Sequence, residues 1–339
     1  MREAVRVSVG SDVLVALQRA LGGRARVGDV LSRYTTSRIG GPADLLAEVT
    51  SLDDLREVAQ TARQVAVPIF VLGGGANILV GDAGIRGLTI VNKARQIEFL
   101  DGGRVRAESG VILPTLAREC IARGLSGLEW AIGVPGTVGG AVVGNAGAHG
   151  RDTASDVKRV WVLGPDNRVQ AWPAEQLGFA YRSSRLKQGA AGRERGATSN
   201  AADGIRGSPH FLVGRNTPYV VLAAEFQLAS GDRAELEQKA AEFNEYRRRT
   251  QPPGASIGSM FKNPPGDAAG RLIEAAGLKG TRIGQAEISR RHANFFVNLG
   301  GAQAREAMAL INLARERAQE KFGLALELEI ELVGDWSPR

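Results

Sequence analysis

The segment GVPGTVGGAVVGNAGAHG at residues 133–150 decides the fold, because seven of its eighteen residues are glycine. Glycine adopts positive φ angles easily and lets backbone N–H groups approach a ligand without interference from a Cβ atom. Pro135 fixes one turn and interleaved valines supply apolar anchors, so the segment is too ordered for a linker. The pattern predicts a rigid loop of backbone donors that holds a pyrophosphate against a packed wall.

A second glycine-rich segment, GGGANILVGD, lies at residues 73–82. Gly73 and Gly75 begin a dinucleotide-binding fingerprint, but Ile78 occupies the position of its third glycine and no helical pattern follows. A tight strand–loop–strand unit is the favoured interpretation, and a plain glycine hairpin is the alternative. Together with TSRIGGPAD at residues 36–44, these segments could contact one extended dinucleotide. Neither long segment contains the Gly-Lys-Ser/Thr of a P-loop, so triphosphate hydrolysis is not expected.

Length and composition predict a globular protein of two or three domains. The chain has 339 residues, of which 43% are apolar and 23% charged. Its net charge is +7, but the basic residues are dispersed and only Arg247, Arg248 and Arg249 form a run. A solvated surface explains this charge, and attraction of an anionic small molecule is the alternative. Because aromatic residues make up only 5% of the chain, no stacking platform for nucleic acid is expected.

Other residue types exclude several further classes of protein. The single cysteine, Cys120, permits neither a disulfide framework nor a thiolate cluster, and a buried thiol on a helix is expected. The three histidines, His149, His210 and His292, have no metal-ligand spacing, so no metal site is expected. No apolar run reaches membrane-spanning length, and the N-terminus does not resemble a signal peptide. These features predict a cytoplasmic protein without a membrane partner.

Hydrophobic periodicity and turn residues predict a mixture of helices and strands without strict βαβ alternation, which indicates the α+β class. Helices are predicted at residues 11–22, 51–67, 113–123, 234–249 and 304–322. Strands are predicted at residues 68–72, 77–91 (as strand, turn, strand), 96–108 (as a hairpin), 157–163, 169–172, 218–228 and 324–334. Residues 188–215 are rich in small and polar side chains and have little periodicity, so they are predicted to form a long mobile surface insertion.

Three short motifs carry candidate chemical groups, each with an ordinary explanation beside it. Arg182 in YRSSRLK is either a solvated charge or a site residue, and Ser259 in GSMFKNP is either a turn residue or a proton donor beside a phosphate site. His292 in HANFFVN fits either packing or a site role. In LELEIELVG, Glu327, Glu329 and Glu331 recur with a period of two. They are therefore expected on one strand face, where at least one could project into a site.

Together these segments, in this order along the chain, resemble the UDP-N-acetylenolpyruvoylglucosamine reductase family from about residue 30 to 335. The resemblance implies a vanillyl-alcohol-oxidase-like FAD-binding fold of two α+β subdomains, followed by a C-terminal α+β domain for the UDP-sugar. The implied boundaries are residues 1–92, 93–229 (including the insertion) and 230–339. A monomer is expected. The chain shows no match to the substrate-capping tyrosine loop, which indicates the branch of the family without that loop.

The reaction implied by the resemblance is NADPH-dependent reduction of UDP-N-acetylglucosamine enolpyruvate to UDP-N-acetylmuramate through bound FAD, a step of peptidoglycan synthesis. Hydride addition to the methylene carbon leaves an enolate that needs a cation or donor, and Arg182 matches the family residue for this role. Ser259 matches the proton donor, and Glu329 matches the glutamate that acts with Arg182. The choice of Glu329 over Glu327 rests on the alignment alone. Lys262 and Asn263 are expected to contact the uridine diphosphate.

The same resemblance implies that FAD is held by both glycine loops and by the segment around Arg38. His149 stands where the family usually has an aromatic residue, so its flavin contact is expected to differ. The implied cofactor residues are Arg38, Gly73, Gly74, Gly75, Ala76, Asn77, Ile78, Leu79, Asp82, Gly133, Val134, Pro135, Gly136, Thr137, Gly139, Gly140, Asn145, Ala146 and Gly147.

Two other functions are compatible with part of the sequence. A flavoprotein oxidase of the same fold would keep both glycine loops, but it would have no reason to keep GSMFKNP or the glutamate-bearing terminal strand. A non-catalytic UDP-sugar-binding protein would be suspected if Arg182, Ser259 or Glu329 were missing, and all three are present.

Overall fold

A computed structural model of the chain describes residues 10–188 and 218–337, and its mixture of elements confirms the α+β prediction. The helices are α1 (Ser11–Leu21), α2 (Leu52–Gln64), α3 (Leu113–Ile121), α4 (Val138–Gly144), α5 (Arg185–Gln188), α6 (Arg233–Thr250), α7 (Ala269–Ala275) and α8 (Ala304–Phe322). The strands are β1 (Ala25–Val27), β2 (Ala43–Val49), β3 (Ile69–Leu72), β4 (Ile78–Val80), β5 (Ile85–Asn92), β6 (Ile97–Leu100), β7 (Arg104–Glu108), β8 (Leu125–Ser126), β9 (Gly147–Ala148), β10 (Arg151–Asp152), β11 (Val157–Leu163), β12 (Val169–Pro173), β13 (Val220–Gln227), β14 (Ala229–Ser230), β15 (Ala255–Ser259), β16 (Arg282–Ile283), β17 (Ala286–Ile288), β18 (Phe295–Asn298) and β19 (Glu331–Val333).

The first unit is a four-stranded sheet in the order β1-β2-β5-β3, covered by α1 and α2. Strands β2 and β3 run parallel to β5, and β1 is antiparallel to β2. Helix α2 begins as predicted, since the Ser51 side chain accepts a hydrogen bond from the backbone N–H of Asp54 at 3.1 Å. Its apolar stripe, including Leu55 and Val58, is fully buried against the sheet.

The second unit is a five-stranded antiparallel sheet in the order β12-β11-β13-β7-β6. The predicted hairpin at residues 96–108 and the pairing of β11 with β12 are both confirmed. Cys120 lies in its core with no exposed surface, and burial raises the pKa of the thiol to about 12. Helices α3 and α4 cover this core together with Trp130.

The presence of α4 corrects the prediction that residues 133–150 form only a loop. Thr137 caps the helix by accepting a hydrogen bond from the N–H of Gly140, and Val138, Ala141 and Val142 are buried at helical spacing. Because glycine has a poor helix propensity, the glycine-rich sequence did not indicate this short helix. Close packing explains one glycine, because a Cβ atom on Gly139 would lie 2.9 Å from Cβ of Ser109.

The third unit is the antiparallel sheet β15-β18-β17-β16, packed against α7 and α8. Helix α8 spans the predicted residues and ends at Gly323, whose φ of 66° is the left-handed conformation that favours glycine. Helix α6 precedes this unit in sequence, but it packs its Leu236 and Ala240 into the core of the second unit. The domain boundaries inferred from the resemblance stay a prediction.

The favoured strand–loop–strand interpretation of residues 73–82 is confirmed, since the glycine loop joins β3 to β4, whereas the hairpin alternative and the prediction of a long terminal strand are wrong. Residues 73–82 do not form a hairpin, since β3 pairs with β5 whereas β4 pairs in parallel with β19. The predicted strand at residues 324–334 is reduced to β19, and before it only Leu328 makes a bridge, to Phe261. This terminal segment passes from the third unit to β4 of the first, so it is extended but is not one continuous strand.

Three remaining predictions concern the insertion, membrane spans and metal sites. Residues 189–215 of the predicted insertion, and His210 with them, lie outside the described residues. Within residues 10–188 and 218–337, no helix is long and apolar enough to cross a membrane. The same residues contain no cluster of three or more His, Cys, Asp or Glu side chains suited to a metal.

Asp82 should contribute to stability by joining two units. Its carboxylate oxygens accept hydrogen bonds from the backbone N–H groups of Ala304 and Arg305 at 2.7 and 3.0 Å, which caps α8 from the first unit. Asp82→Ala should cost about 1–2 kcal/mol and lower the thermal midpoint by about 2–4 °C, as measured by circular dichroism. Asp53→Ala is the control, because that side chain is 93% exposed. Equal effects of the two substitutions would contradict the capping role.

Candidate active site

The two glycine loops and the last segment of the chain enclose one cavity of about 350 Å³. The loop after β3 forms one wall, and residues 134–147, including α4, form another. Polar groups from distant parts of the chain, Arg182, Ser259 and Glu329, line the same space. The three residues predicted to be catalytic are therefore brought together, although their positions span most of the chain.

The two glycine loops touch through their backbones, and a side chain at the contact would push them apart. A Cβ atom on Gly74 would lie 2.9 Å from Cα of Gly136, and one on Gly73 would lie 2.3 Å from Oγ1 of Thr137. Gly136 also has a φ of 128°, which L-residues with side chains rarely adopt. Glycine is required here for close approach rather than for flexibility.

Backbone donors remain available in both loops. Among the described residues, the N–H groups of Gly74, Gly75 and Ala76 have no protein acceptor, and neither do those of Gly136 and Thr137. Buried or half-buried N–H groups are nearly always paired in folded proteins, so a row of unpaired ones facing a cavity indicates a ligand with acceptor oxygens. A diphosphate fits this arrangement, as predicted from the sequence.

Most of the predicted cofactor residues line the cavity, and five do not. Leu79 is fully buried in the core, and Asp82 caps α8. Asn145 donates from its amide to Asp152 and to the carbonyl of Ala180, so it supports the loop from behind. The other two residues outside the cavity lining are Arg38 and Gly133.

Arg182 is held in an unusual backbone conformation. Its φ is 55°, and the flanking Ala180 and Ser183 exchange two backbone hydrogen bonds of 3.0 Å across the turn. Such a conformation costs about 1–3 kcal/mol in a residue with a side chain, and it is typical of functional sites. The turn directs the guanidinium into the cavity, where Nε lies 2.8 Å from Oε1 of Glu329. No acceptor is aligned with the Nε–H bond, so this contact is an ion pair that leaves donors for a ligand.

Glu329 is the glutamate of the terminal segment that lies next to Arg182. Burial raises the pKa of its carboxyl group, and the nearby charges of Arg182, Lys187 and Lys262 act in the opposite direction. Its backbone is fixed on both sides, because its N–H donates to the carbonyl of Met260 and its carbonyl accepts from the Asn77 amide. This carboxyl group is therefore positioned to share a proton or a charge with Arg182 and a ligand.

The other two glutamates of this segment have different surroundings. Glu327 is 74% exposed and pairs with Lys262 at 3.2 Å, outside the cavity lining. Glu331 does line the cavity, and it pairs with the buried Lys187 at 3.2 Å. The expectation that all three share one strand face is wrong, because the segment bends between Leu328 and β19.

Ser259 reaches the cavity because β15 contains a bulge. The pairing of β15 with β18 shifts register between Ser256 and Ser259, and Gly258 in the bulge has a φ of 94°. A bulge redirects the side chain that follows it, and here that side chain is Ser259. The turn interpretation of the Gly-Ser pair is wrong, because both residues lie in β15, and the role of Ser259 as a proton donor stays a prediction.

Lys262 and Asn263 lie outside the cavity lining. The Lys262 amine is at the rim beside Glu327, whereas the Asn263 side chain accepts a hydrogen bond from the N–H of Ala269 at the start of α7. His292 also lies away from the cavity, and its ring packs edge-to-face on Phe295, which supports the packing interpretation. The assignment of Lys262 and Asn263 to the substrate stays a prediction.

Several residues that line the cavity were not singled out from the sequence. Lys187 was quoted only as part of a motif, and Arg247 was noted only as part of a basic run. Asn92 donates to Oγ of Ser109 at 2.7 Å, and both residues line the cavity beneath α4. None of these residues lies in a distinctive local pattern, so sequence reasoning had no signal with which to find them.

Comparisons with known proteins identify the family of the chain. Residues 43–171 match the family described as "FAD binding domain", and residues 250–333 match "UDP-N-acetylenolpyruvoylglucosamine reductase, C-terminal domain". A relative from Rubrobacter xylanophilus named UDP-N-acetylenolpyruvoylglucosamine reductase is 44% identical over 92% of this chain and 96% of its own length. One of the same name from Chloroflexus aggregans is 40% identical over 91% of this chain and 97% of its own.

A solved structure is similar over nearly its whole length. The crystal structure of UDP-N-acetylenolpyruvylglucosamine reductase (MurB) from Thermus caldophilus superposes with a TM-score of 0.72 at 35% identity, covering 91% of this chain and 99% of that one. The fold and the glycine cavity thus define an FAD-binding protein with the α+β architecture of the vanillyl-alcohol-oxidase type. The chain belongs to the UDP-N-acetylenolpyruvoylglucosamine reductase family.

Substitution at the loop contact should remove the flavin. Gly74→Ala places a Cβ atom 2.9 Å from Cα of Gly136, so the loops must separate and the free N–H groups lose their common direction. We expect the flavin content of the purified protein, measured by absorbance near 450 nm, to fall roughly tenfold or more. Gly23→Ala is the control, because a Cβ atom there meets nothing within 4 Å. Unchanged flavin content in Gly74→Ala would contradict the claim that the two touching glycine loops hold the cofactor.

Proposed function

We propose that this protein catalyses the NADPH-dependent reduction of UDP-N-acetylglucosamine enolpyruvate to UDP-N-acetylmuramate, with FAD as the bound cofactor, in peptidoglycan synthesis. The observation that carries this proposal is that Arg182, Ser259 and Glu329 line the same cavity, which the glycine loops enclose. The names of the relatives support the substrate and the reaction.

The residues around the cavity fit FAD. Unpaired N–H groups of both loops suit its diphosphate, and the apolar residues Leu72, Val134 and Ile257 suit a flat ring system. When bound, FAD supplies the carrier that takes a hydride from NADPH and passes it to the enolpyruvyl double bond. Every other task, namely binding, charge stabilisation and proton delivery, belongs to the side chains of the chain.

Arg182 has the charge and position to stabilise the enolate that hydride addition leaves on the substrate. In a site screened from water, a fixed cation next to the developing oxyanion lowers the barrier more than the same contact in solvent. Glu329 holds the guanidinium in place through the 2.8 Å ion pair. Because burial raises the pKa of Glu329, its carboxyl group is also suited to carry a proton toward the same oxygen.

Ser259 supplies the proton that completes the reaction. After the hydride has reached the methylene carbon, the carbon next to the carboxylate needs a proton, and Oγ of Ser259 is the hydroxyl that β15 aims into the cavity. A serine hydroxyl is a weak acid in water, so it needs a strong carbanion or enolate acceptor and a cationic neighbourhood. The cations Arg182 and Lys187 line the same cavity and provide that neighbourhood.

The use of FAD with NADPH follows from membership of the family. The cytoplasmic location, the monomeric state and the family branch without a capping tyrosine loop stay predictions. A flavoprotein oxidase of the same fold is the weaker alternative, because it gives no reason for Ser259 and Glu329 to meet at Arg182.

The purified protein should be yellow and should oxidise more than one equivalent of NADPH per flavin only when the enolpyruvyl sugar nucleotide is present. The reason is that, under anaerobic conditions, the enolpyruvyl double bond is the group that accepts the hydride from the reduced cofactor. The measurement is absorbance at 340 nm under anaerobic conditions, with UDP-N-acetylglucosamine, which lacks the double bond, as the control. A colourless protein, or one that does not reduce the enolpyruvyl sugar nucleotide, would contradict the proposal.

Ser259→Ala should separate the two half-reactions. Flavin reduction by NADPH needs no proton from Ser259 and should stay close to the wild-type rate, whereas product formation should fall by about 10²–10⁴. Stopped-flow absorbance distinguishes the two steps. Ser256→Ala is a matched control on the same strand, outside the cavity lining. An equal loss in both half-reactions would contradict the role of proton donor.

A further inference from the structure

Arg247 lines the cavity, but the proposed mechanism assigns no role to its positive charge. It lies in the last turn of α6 and lines the same space as Arg182, Ser259 and Glu329. Within residues 10–188 and 218–337, no carboxylate lies within ion-pair distance of its guanidinium. In contrast, the nearby Arg248 pairs with Glu245, and Arg182 pairs with Glu329.

The surroundings of Arg247 make an unpaired charge costly. Burial and the nearby charge of Arg182 both lower its pKa, so the folded protein holds two partly desolvated cations close together. Repulsion of this kind is tolerated when an anion completes the site. An arginine that only complemented the helix C-terminus would lie in solvent, as Arg249 does on the same turn.

The part of α6 that carries Arg247 is fixed from several directions. A Cβ atom on Gly133 would lie 2.6 Å from its Cδ, so the absence of a side chain at Gly133 makes room for the arginine. One turn earlier, the Phe243 ring stacks on His149 with centroids 4.0 Å apart and planes 9° apart. Lys239 of the same helix lies 3.6 Å from the buried Glu129 of the second unit.

The end of α6 is also held by the third unit. Arg291 donates hydrogen bonds of 3.0 and 3.1 Å to the carbonyls of Arg248 and Gln251, which satisfies acceptors at the helix C-terminus. Helix α6 thus connects the second and third units and carries Arg247 on the side that faces the cavity. Because the helix backbone is fixed, the base of the Arg247 side chain needs no rearrangement when the side chain binds a ligand.

We infer that Arg247 binds an anionic oxygen group of the substrate, as the second cation of a site that it forms with Arg182. This inference rests on the proposed function, which provides a substrate with two such groups, a carboxylate and a diphosphate. The planar guanidinium suits either group, because both accept paired hydrogen bonds. His149 takes part as a positioning residue through its stack on Phe243, and Gly133 gives the arginine its space.

The test compares Arg247→Gln and Arg247→Lys with the wild-type holoenzyme and with Arg249→Gln, which removes the same charge from an exposed position of the same turn. Flavin content comes from absorbance, and anaerobic stopped-flow gives the concentration dependence of reduction by NADPH and of reoxidation by the enolpyruvyl sugar nucleotide. In Arg247→Gln, we expect the substrate concentration for half-maximal reoxidation to rise roughly 10- to 100-fold. Flavin content and reduction by NADPH should stay near wild type, and Arg247→Lys should be less affected.

Inhibition by UDP, which has the diphosphate but no carboxylate, then distinguishes the two sources of the anion. Weakened inhibition in Arg247→Gln assigns Arg247 to the diphosphate, and unchanged inhibition with weaker substrate binding assigns it to the carboxylate. The inference is overturned if Arg247→Gln behaves like Arg249→Gln, if it loses flavin, or if only the NADPH step weakens. Failure of the wild-type enzyme to be reoxidised by the substrate is a separate result, which would overturn the proposed function itself.

Discussion

The parallel pairing of β19 with β4 is the interaction on which the site depends. It joins the end of the chain to the strand that follows the first glycine loop, and it continues through the hydrogen bond from the N–H of Glu331 to the carbonyl of Asn77. Because Asn77 also donates to the carbonyl of Glu329, the same contact fixes the glutamate at the cavity wall. Together with the capping of α8 by Asp82, this pairing fixes the third unit relative to the first.

The cavity combines two kinds of rigidity. Its cofactor side consists of backbone, since glycines let the loops after β3 and before α4 touch directly and leave N–H groups unpaired. Its other side contains the three residues predicted to be catalytic, each on constrained backbone: Arg182 at a positive φ, Ser259 after a bulge and Glu329 between two backbone hydrogen bonds. Preorganised groups of this kind act on a transition state without first having to reorganise.

Local signals predicted the elements that depend on local physics. Helices α2 and α8 were correctly predicted, because capping residues and apolar periodicity act within one or two turns. Helix α4 was missed because its glycines conceal a helical pattern that burial against the second sheet stabilises. The terminal strand was overextended because alternating residues describe an extended chain but do not identify its partner, and β4 lies some 250 residues earlier.

The sequence by itself determined the fold class and the glycine loops, and its resemblance to the family predicted the catalytic residues, including Glu329 rather than Glu327. The fold class and the loops depend on residue type and order, which govern backbone freedom and local periodicity. Only the tertiary structure decided that Glu329 forms an ion pair with Arg182, that Asp82 caps a helix, and that one arginine of a basic run lines the cavity. Each of these outcomes depends on packing between segments far apart in the chain, which no local pattern encodes.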